Sequence, residues 1–249
     1  GHDFIKDILD INGTISFGEY NNVGNKRVIK TKSNLQTLML LASSWREKME
    51  STVIAITGSN GKTTTKELLY HILNHYKKCS KSIDNHNSTI GLPLTFLNCN
   101  LYDHYTILEL GANKKGEIER LCKIIRPNLS LITNISNAHI GNFNSIDEII
   151  KTKSSIFSCL KKDGIAFINI NDDAISNLNI KNKKITFGIN NPKADYNGEL
   201  INNSKLRINN FECNIPNEIY YLNESILSIY AISKTIGIKN KQFQEALLT

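Results

Sequence analysis

The most informative segment of the sequence is Val53-Ile54-Ala55-Ile56 followed by Thr57-Gly58-Ser59-Asn60-Gly61-Lys62-Thr63-Thr64. The first four residues are typical of a buried strand, and a helical pattern over 63–76 follows the loop. In such a strand-loop-helix unit, glycines let backbone N–H groups approach a phosphate, and the helix N-terminus adds positive potential. The sequence therefore predicts a phosphate-binding loop at 57–64.

Two residues of this loop carry the predicted chemistry. Lys62 supplies a positive point charge, and the Thr63 hydroxyl can ligate Mg²⁺. The loop is a shorter variant of the G-x-x-x-x-G-K-[ST] pattern, because Ile56 stands five residues before Gly61. The alternative is a strand-to-helix turn with an incidental lysine, which the surrounding strand and helix disfavour. The candidate nucleotide contacts are Gly58, Ser59, Asn60, Gly61, Lys62, Thr63 and Thr64.

Short β patterns alternate with helical patterns through the rest of the chain. Strands are predicted at 52–57, 105–110, 129–134, 165–170 and 184–187, and further helices at 116–125, 146–160 and 224–236. This alternation predicts an α/β fold with a mainly parallel sheet flanked by helices. Ahead of it, a strand at 27–30 precedes a helix capped by Ser33, with an apolar stripe at Leu35, Leu38, Met39, Ala42 and Trp45. No further element is expected at 246–249.

Composition narrows the class of protein. The 249 residues allow one large domain plus part of another. The net charge of +7 is spread among acidic residues, so a nucleic-acid partner is not expected. The longest apolar runs, such as 53–56, are too short to span a bilayer, and no export signal is visible, so a cytoplasmic location is expected. The five cysteines include no C-x-x-C pair and are expected to be free thiols.

Three further side chains lie near the predicted edge of the sheet. Glu109 ends an apolar run, at the edge where open α/β sheets bind ligands. Because the predicted phosphate-binding loop lies at the same edge, a role of Glu109 as a Mg²⁺ ligand is favoured over that of a solvated acid. His139 follows the next central strand, but position alone favours polar surface over metal or phosphate contact. Lys153, on a predicted helix, is by itself typical of a solvated cation. The segment 85–93 indicates only a loop and then a helix, with Pro93 near the helix start.

Together these segments resemble the Mur ligase family. The loop at 57–64 is similar to the family's T-G-x-x-G-K-T loop, and Asn85-x-Asn87 through Ile90-Gly91-x-Pro93 is similar to its N-x-N-N-x-I-G-x-P segment. The other matches are Glu109-Leu110-Gly111-Ala112-Asn113 continuing to Gly116-Glu117-Ile118, Thr133-Asn134-Ile135 with Ala138-His139, Lys153-x-x-Ile156-Phe157, and Asn169 with Asp172-Asp173. The residues after Glu109 discriminate among the members and are most similar to the ligases that add D-alanyl-D-alanine.

What the resemblance implies is ATP-dependent amide bond formation in peptidoglycan precursor synthesis. The carboxylate of a UDP-MurNAc-tripeptide is phosphorylated by ATP, and the amine of D-Ala-D-Ala then attacks the acyl phosphate. By this resemblance Lys62 and the loop amides hold the β- and γ-phosphates. Thr63 and Glu109 ligate one Mg²⁺, and His139 supports a second. Lys153 is implied to be carbamylated, which turns a cation into a metal-binding carboxylate.

The resemblance also implies how the chain is organised. Gly1-His2-Asp3-Phe4 and Leu35-Gln36-Thr37-Leu38 are similar to the second half of a small N-terminal domain. Residues 1–50 are then part of the UDP-substrate-binding domain, 51–238 the central ATP-binding domain, and 239–249 the start of a linker toward a C-terminal domain. The chain is expected to be incomplete at both ends, inactive alone as a ligase, and monomeric. Its implied partners are small-molecule substrates, which Asn85 and Asn87 help to bind.

One segment departs from the family pattern. The family's G-x-H-N-x-x-N motif, which helps to hold adenine, is expected near 219–225, where this chain has Ile-Tyr-Tyr-Leu-Asn-Glu-Ser. Smaller departures are Ser88 for the second paired Asn, Lys114 for a common His, and Ser155 for the Glu after the special lysine. Two alternatives therefore stay open: another Mur-like amide ligase, and a nucleotide-binding remnant without ligase chemistry.

Overall fold

A computed structural model describes residues 15–18, 26–83, 86–136 and 143–249. Two short parallel strands, β1 (Ser16–Gly18) and β2 (Val28–Lys30), pair at the start of the described chain. The strands of the large sheet are β3 (Thr52–Thr57), β4 (Cys79–Lys81), β5 (Tyr105–Glu109), β6 (Leu129–Ile132), β7 (Ile165–Asn169), β8 (Lys183–Ile189), β9 (Tyr196–Asn202), β10 (Lys205–Ile208) and β11 (Phe211–Asn214).

Helices cover both faces of this sheet. They are α1 (Asn34–Lys48), α2 (Lys62–Asn74), α3 (Gly91–Leu97), α4 (Glu117–Ile125), α5 (Ile146–Ser158), α6 (Asp173–Ser176), α7 (Asn223–Thr235) and α8 (Asn240–Leu247), with a 3₁₀ helix at Asn217–Leu222. Among the described residues, none of these helices is both long enough and apolar enough to cross a membrane.

The order of strands in the large sheet is β11-β10-β9-β8-β7-β6-β3-β5-β4. All neighbours from β4 through β9 pair in parallel, and only the β9–β10 and β10–β11 pairs are antiparallel. The prediction of a mainly parallel sheet flanked by helices is confirmed. Strand β3 lies between β5 and β6, with Ile56 opposite both Glu109 and Leu131. The loops that follow these three strands therefore meet at one edge of the sheet.

The core consists of two apolar layers, one on each face of the sheet. Side chains alternate along β3, so Ile54 and Ile56 enter the layer formed with α2, α7 and α8, whereas Val53 and Ala55 enter the layer with α1, α4 and α5. All four are fully buried. This explains why β3 is apolar on both faces, as expected of a central parallel strand.

The start of α1 is predicted correctly from the sequence, whereas the helix near the end of the chain is not. The Ser33 cap is confirmed, because its side chain accepts from the Gln36 N–H at the start of α1. The expectation of no element near the end of the sequence is wrong. Helix α8 covers 240–247, and its apolar residues Phe243, Ala246 and Leu247 are buried in the core. The pattern was missed because it extends over only two helical turns.

Strands β9 to β11 were also not predicted. Most side chains of β9 are exposed, so the strand has no continuous apolar run. The turn between β10 and β11 contains Asn209, whose positive φ of 51° is tolerated well by asparagine. An Asn-Asn pair between two short strands is the local pattern from which this hairpin could have been predicted.

Candidate nucleotide-binding and active site

The loop after β3 folds against the loop after β6. The backbone N–H of Ser59 donates to the Asn134 carbonyl at 2.8 Å, and that of Asn60 donates to Asn134 Oδ1 at 3.0 Å. In return, Thr133 Oγ1 donates to the Asn60 carbonyl at 2.6 Å. A Cβ on Gly58 would lie 1.9 Å from Thr133 Oγ1. The close approach of the two loops therefore requires glycine at position 58.

Helix α2 begins directly after the loop. Gly61 precedes it with a φ of +74°, a conformation that glycine adopts at little cost. The first N–H groups of α2 have no acceptor within the helix, so this end favours an anion. The Lys62 ammonium donates to the Gly58 and Ser59 carbonyls at 3.0 and 3.1 Å. Burial lowers the pKa of Lys62, while Glu109 opposes that shift.

Glu109 is the centre of the polar cluster beside the loop. Its carboxylate is 2 % exposed, accepts from Thr63 Oγ1 at 2.7 Å, and accepts from Asn87 Nδ2 at 2.8 Å. Its own backbone N–H donates to Ser82 Oγ at 3.0 Å. Thr63 and Glu109, predicted as a pair of ligands, are thus in direct contact. Because both offer oxygen atoms, they fit a hard cation such as Mg²⁺.

Lys66 belongs to the same cluster and was not identified from the sequence. Its side chain is fully buried, and its ammonium donates to the Ser82 carbonyl at 2.9 Å. It also lies 3.1 Å from the carboxylate of Glu67 and 3.9 Å from Glu109 Oε2. A buried ammonium is costly unless it is paired, so these contacts fix Lys66 and, through it, the position of Glu109. No local pattern distinguishes it from a solvated helix lysine.

Lys153 reaches the loop from α5. Its ammonium donates to the Gly58 carbonyl at 2.8 Å, and the residue is only 7 % exposed. Burial, with a smaller contribution from Lys62, lowers the pKa of Lys153 to about 8. The interpretation of Lys153 as a solvated cation, based on position alone, is therefore wrong. Packing of α5 against the loop buries it.

Two larger cavities flank the loop. One of about 200 Å³ is lined by Lys62, Asn87, Ser88, Gly111, Ala112, Asn113, Glu117 and Lys153. Another of about 410 Å³ is lined by Asn134, Ile135, Asn169, Asn171, Asp172, Asp173, Ala174 and Glu224. Lys62 and Lys153 line the first cavity, and Asn134, which accepts hydrogen bonds from the loop, lines the second.

The segment that departs from the family pattern borders the loop directly. Ser225 Oγ lies 3.1 Å from Thr65 Oγ1 in α2. Glu224 lines both the 410 Å³ cavity and a 40 Å³ cavity that reaches Asn60 and Gly61. Burial, followed by the charge of Asp172, raises the pKa of Glu224. The departure in sequence therefore places the Glu224 carboxyl group beside the phosphate-binding loop.

Two predicted site residues, Asn85 and His139, lie outside the described residues. Of the remaining loop positions, Thr64 is exposed and Ser59 is buried, with Ser59 Oγ accepting from the Ser136 N–H at 2.9 Å. In the described ranges, no group of three His, Cys, Asp or Glu side chains is arranged to hold a metal. A cation at Glu109 would thus combine a single carboxylate with the Thr63 hydroxyl and oxygen atoms from a ligand.

Comparison with known proteins gives a family match over most of the chain. The model of the Mur ligase middle domain matches residues 56–232. A UDP-N-acetylmuramoyl-tripeptide–D-alanyl-D-alanine ligase of Rickettsia prowazekii is 36% identical over 190 residues, which cover 75% of this chain and 42% of that protein. The corresponding ligase of Buchnera aphidicola subsp. Baizongia pistaciae is 36% identical over 200 residues, covering 78% and 43%.

Solved structures agree with this match. MurF from Acinetobacter baumannii superposes with a TM-score of 0.86 at 25% identity, covering 99% of this chain and 56% of that one. The MurF ligase of Thermotoga maritima in complex with ADP gives 0.84 at 26% identity, covering 98% and 59%. The chain thus spans about half the length of the relatives that it matches.

Proposed function

This chain belongs to the Mur ligase family, and from that membership we propose that it is the ATP-binding core of a ligase that adds D-alanyl-D-alanine to UDP-MurNAc-tripeptide. The observation that carries the proposal is the contact of Thr63 with Glu109 at 2.7 Å, beside a loop in which the Lys62 ammonium donates to the Gly58 carbonyl. The names of the relatives support the choice of substrates. ATP and a UDP-linked precursor are small molecules of the cytoplasm, where we propose that the protein acts.

The loop supplies the proposed site for the β- and γ-phosphates of ATP. Lys62 lies over the Gly58 and Ser59 carbonyls, so a small change of its rotamer brings the ammonium to an anion at the start of α2. The first turn of α2 adds N–H donors. Gly61 leaves the approach free, since among the described residues no atom beyond its chain neighbours lies within 4 Å of the position that a Cβ would take. ATP bound here would supply the phosphoryl group that activates a carboxylate.

Thr63 and Glu109 are the proposed ligands of one Mg²⁺ ion. The fit is chemical: a hydroxyl and a carboxylate oxygen lie 2.7 Å apart, and Asn87 holds the other carboxylate oxygen in place. Mg²⁺ would neutralise charge on the phosphoryl group. We propose that His139 supports a second cation and that Asn85 and Asn87 contact the acceptor substrate.

Lys153 has a distinct place in the proposal, as a carbamylated residue. A carbamate forms when the neutral amine bonds to the carbon of CO₂ and loses one proton, and a pKa of about 8 leaves more neutral amine than an ordinary lysine has. The product would face the 200 Å³ cavity, which Lys62 and Asn87 also line. In that position its carbamate oxygen atoms would be further ligands for a cation.

In the proposed reaction, a carboxylate oxygen of the tripeptide bonds to the γ-phosphorus while ADP leaves. The amine nitrogen of D-Ala-D-Ala then bonds to the carbonyl carbon and loses one proton to solvent, and phosphate leaves as the amide forms. Lys62 and the α2 N-terminus hold the transferred group during both steps, which is catalysis by position and charge. The domain assignments for 1–50, 51–238 and 239–249 and a monomeric state are parts of the same proposal.

The second candidate is a nucleotide-binding module without ligase chemistry. It is favoured by the departure at 219–225, which puts the Glu224 carboxyl beside the loop and near any base or ribose bound in the 410 Å³ cavity. This candidate keeps the phosphate-binding role of Lys62 but predicts no product. The two candidates therefore differ in turnover and agree on nucleotide binding.

Calorimetric titration with MgATP tests the shared part. We expect Lys62→Ala to weaken MgATP binding by at least about tenfold, because a charge-assisted contact is lost. Lys193→Ala, at an exposed position away from the site, is the matched control and should bind like the unchanged chain. Equal affinity of the Lys62→Ala variant would refute the loop assignment.

Ligation tests the part that separates the candidates. The complete gene product containing this sequence is incubated with MgATP, UDP-MurNAc-tripeptide and D-Ala-D-Ala, and the amide product is measured. We expect product with D-Ala-D-Ala and a large loss in Glu109→Gln, which removes a ligand charge. Binding of ATP without product from D-Ala-D-Ala or any other amine would favour the module.

A further inference from the structure

We propose that Cys159 and Cys122 form a reactive thiol pair that low-molecular-weight disulfides oxidise to an intramolecular disulfide. Cys159 would be the thiolate that attacks the small disulfide, and Cys122 the residue that resolves the mixed disulfide. The pair lies between α4 and α5, outside the nucleotide loop. The proposal does not depend on the ligase activity.

The two cysteines are adjacent because α4 packs against α5. Cys159 directly follows α5, and its sulfur lies 3.8 Å from the carbonyl of Glu119, one turn before Cys122 in α4. Both cysteines contribute to the same apolar layer, and each thiol shifts the pKa of the other. Cys122 is fully buried in the apolar layer, and Cys159 packs against that layer while remaining partly exposed. A solvent-borne reagent can therefore reach Cys159, with Cys122 directly behind it.

The surroundings of Cys159 and Cys122 favour different roles for the two thiols. The interaction with the Cys122 thiol lowers the pKa of Cys159 to about 7. Burial and the charge of Glu119 oppose this shift, whereas Ser158 and Lys123 assist it. Burial raises the pKa of Cys122 well above its usual range. At neutral pH about half of Cys159 is then thiolate, the form that attacks disulfides, while Cys122 stays protonated until it is needed.

The other three cysteines have no such arrangement. Burial raises the pKa of Cys79, Cys99 and Cys213 to about 12 in each case. Cys79 is the useful comparison, because it is also partly exposed but lies near the negative charge of Asp103. Exposure alone therefore does not select Cys159.

The exchange needs two steps and one small disulfide, RSSR. The Cys159 thiolate bonds to one sulfur of RSSR, and RS⁻ leaves. The Cys122 thiol then gives its proton to RS⁻, its sulfur bonds to the Cys159 sulfur, and the second RS⁻ leaves and takes a proton from water. Two protein thiols are oxidised, and one RSSR is reduced to two RSH.

A disulfide at this position would join two walls of the 200 Å³ cavity. Glu117 lies in α4 and Lys153 in α5, and both line that cavity. Fixing the helices to each other would restrict any adjustment of the cavity to a ligand. The proposed modification site thus joins two helices that line a cavity beside the loop.

Alkylation and oxidation of the purified chain test the pair. With limiting iodoacetamide at pH 7, peptide mapping should find Cys159 modified at least about tenfold faster than Cys79. With oxidised glutathione, the intact mass should fall by two hydrogens, and two of the five thiols should be lost. The Cys122→Ala variant should stop at glutathione bound to Cys159, whereas Cys79→Ala should behave like the unchanged chain.

The outcomes separate the pair from its alternatives. Faster alkylation of Cys79, or a stable glutathione adduct on Cys159 of the unchanged chain, would overturn the proposal. The alkylation rates come from the unchanged chain and stay decisive even if Cys122→Ala fails to fold. Because neither measurement uses ATP or substrate, failure here leaves the proposed ligase function untouched.

Discussion

Replacing Lys153 with methionine should make the folded chain more stable at neutral pH. The ammonium is 7 % exposed, and its pKa is lowered from 10.5 to about 8. At 1.36 kcal/mol per pH unit, keeping it charged in the folded state costs about 3 kcal/mol. Loss of its bond to the Gly58 carbonyl costs about 1 kcal/mol. The net expectation for Lys153→Met at pH 7 is a gain of about 2 kcal/mol.

The pH dependence follows from the direction of the shift. The folded pKa of Lys153 lies below the unfolded one, so between pH 8 and 10.5 the unfolded chain binds more protons. The stability of the unchanged chain therefore rises relative to Lys153→Met through that window. The advantage of the variant is full below about pH 8 and disappears as the pH approaches 10.5.

Urea unfolding at pH 7 and pH 10 measures both values, with Trp45 as the single tryptophan reporter. Lys193→Met, which changes an exposed lysine, is the control and should alter stability by less than about 0.5 kcal/mol. A Lys153→Met variant that is less stable than the unchanged chain by the same amount at both pH values would refute the reasoning, because no cost of burying charge would then be present.

The same variant tests the carbamate. With a pKa of about 8, roughly a tenth of Lys153 is neutral at pH 7, against less than about 0.1% of an ordinary lysine. ¹³C NMR in ¹³C-labelled bicarbonate should show a protein carbamate resonance in the Lys193→Met control that is missing in Lys153→Met. Persistence of the resonance in Lys153→Met would assign it elsewhere.

Two further expectations concern loop packing and the attachment of α1. Gly58→Ala should destabilise the chain by about 1–3 kcal/mol. Adding Thr133→Ala should recover part of that loss, because it removes the atom 1.9 Å from the new Cβ. Urea unfolding measures both variants, and no recovery in the double variant would contradict this expectation. Arg46→Met should cost about 3 kcal/mol, because the buried guanidinium donates to the Ile125 carbonyl at 2.6 Å and to Asn128 Oδ1 at 2.9 Å. A fall in the thermal midpoint measures it, and an unchanged midpoint would show that water replaces these bonds.

The parts of the fold that could be predicted have local causes. Strand β3, its loop and α2 follow one another in sequence, and the apolar run, the glycines and the helical period are all contained in 53–76. The Thr63–Glu109 contact was also predictable, because the strands that carry these residues to one edge are adjacent in a parallel sheet. Sequence position and sheet geometry together were sufficient for that contact.

The parts that could not be predicted depend on contacts distant in sequence. Lys66 is distinguished by its bond to Ser82, and Lys153 by its bond to Gly58, and neither partner is visible from the lysine's own neighbours. Both lysines lie in amphipathic helices, where a solvated cation is the ordinary case. Burial reverses that expectation, and burial is a property of the assembled sheet and helices.

The Gly58 carbonyl links these observations, because Lys62 and Lys153 both donate to it, at 3.0 and 2.8 Å. Two ammonium groups on one carbonyl repel each other, and the charge of Lys62 contributes to the lowered pKa of Lys153. A phosphate bound at the loop would offset that repulsion and raise the pKa of Lys153 again. By linkage, protonation of Lys153 must then favour phosphate binding to the same degree that phosphate binding favours protonation of Lys153. Carbamylation needs the neutral amine, so it would compete with the protonation that phosphate binding favours. A cation held by Thr63 and Glu109 would offset the negative charges of the carbamate and the phosphate, and both groups could then occupy the site together.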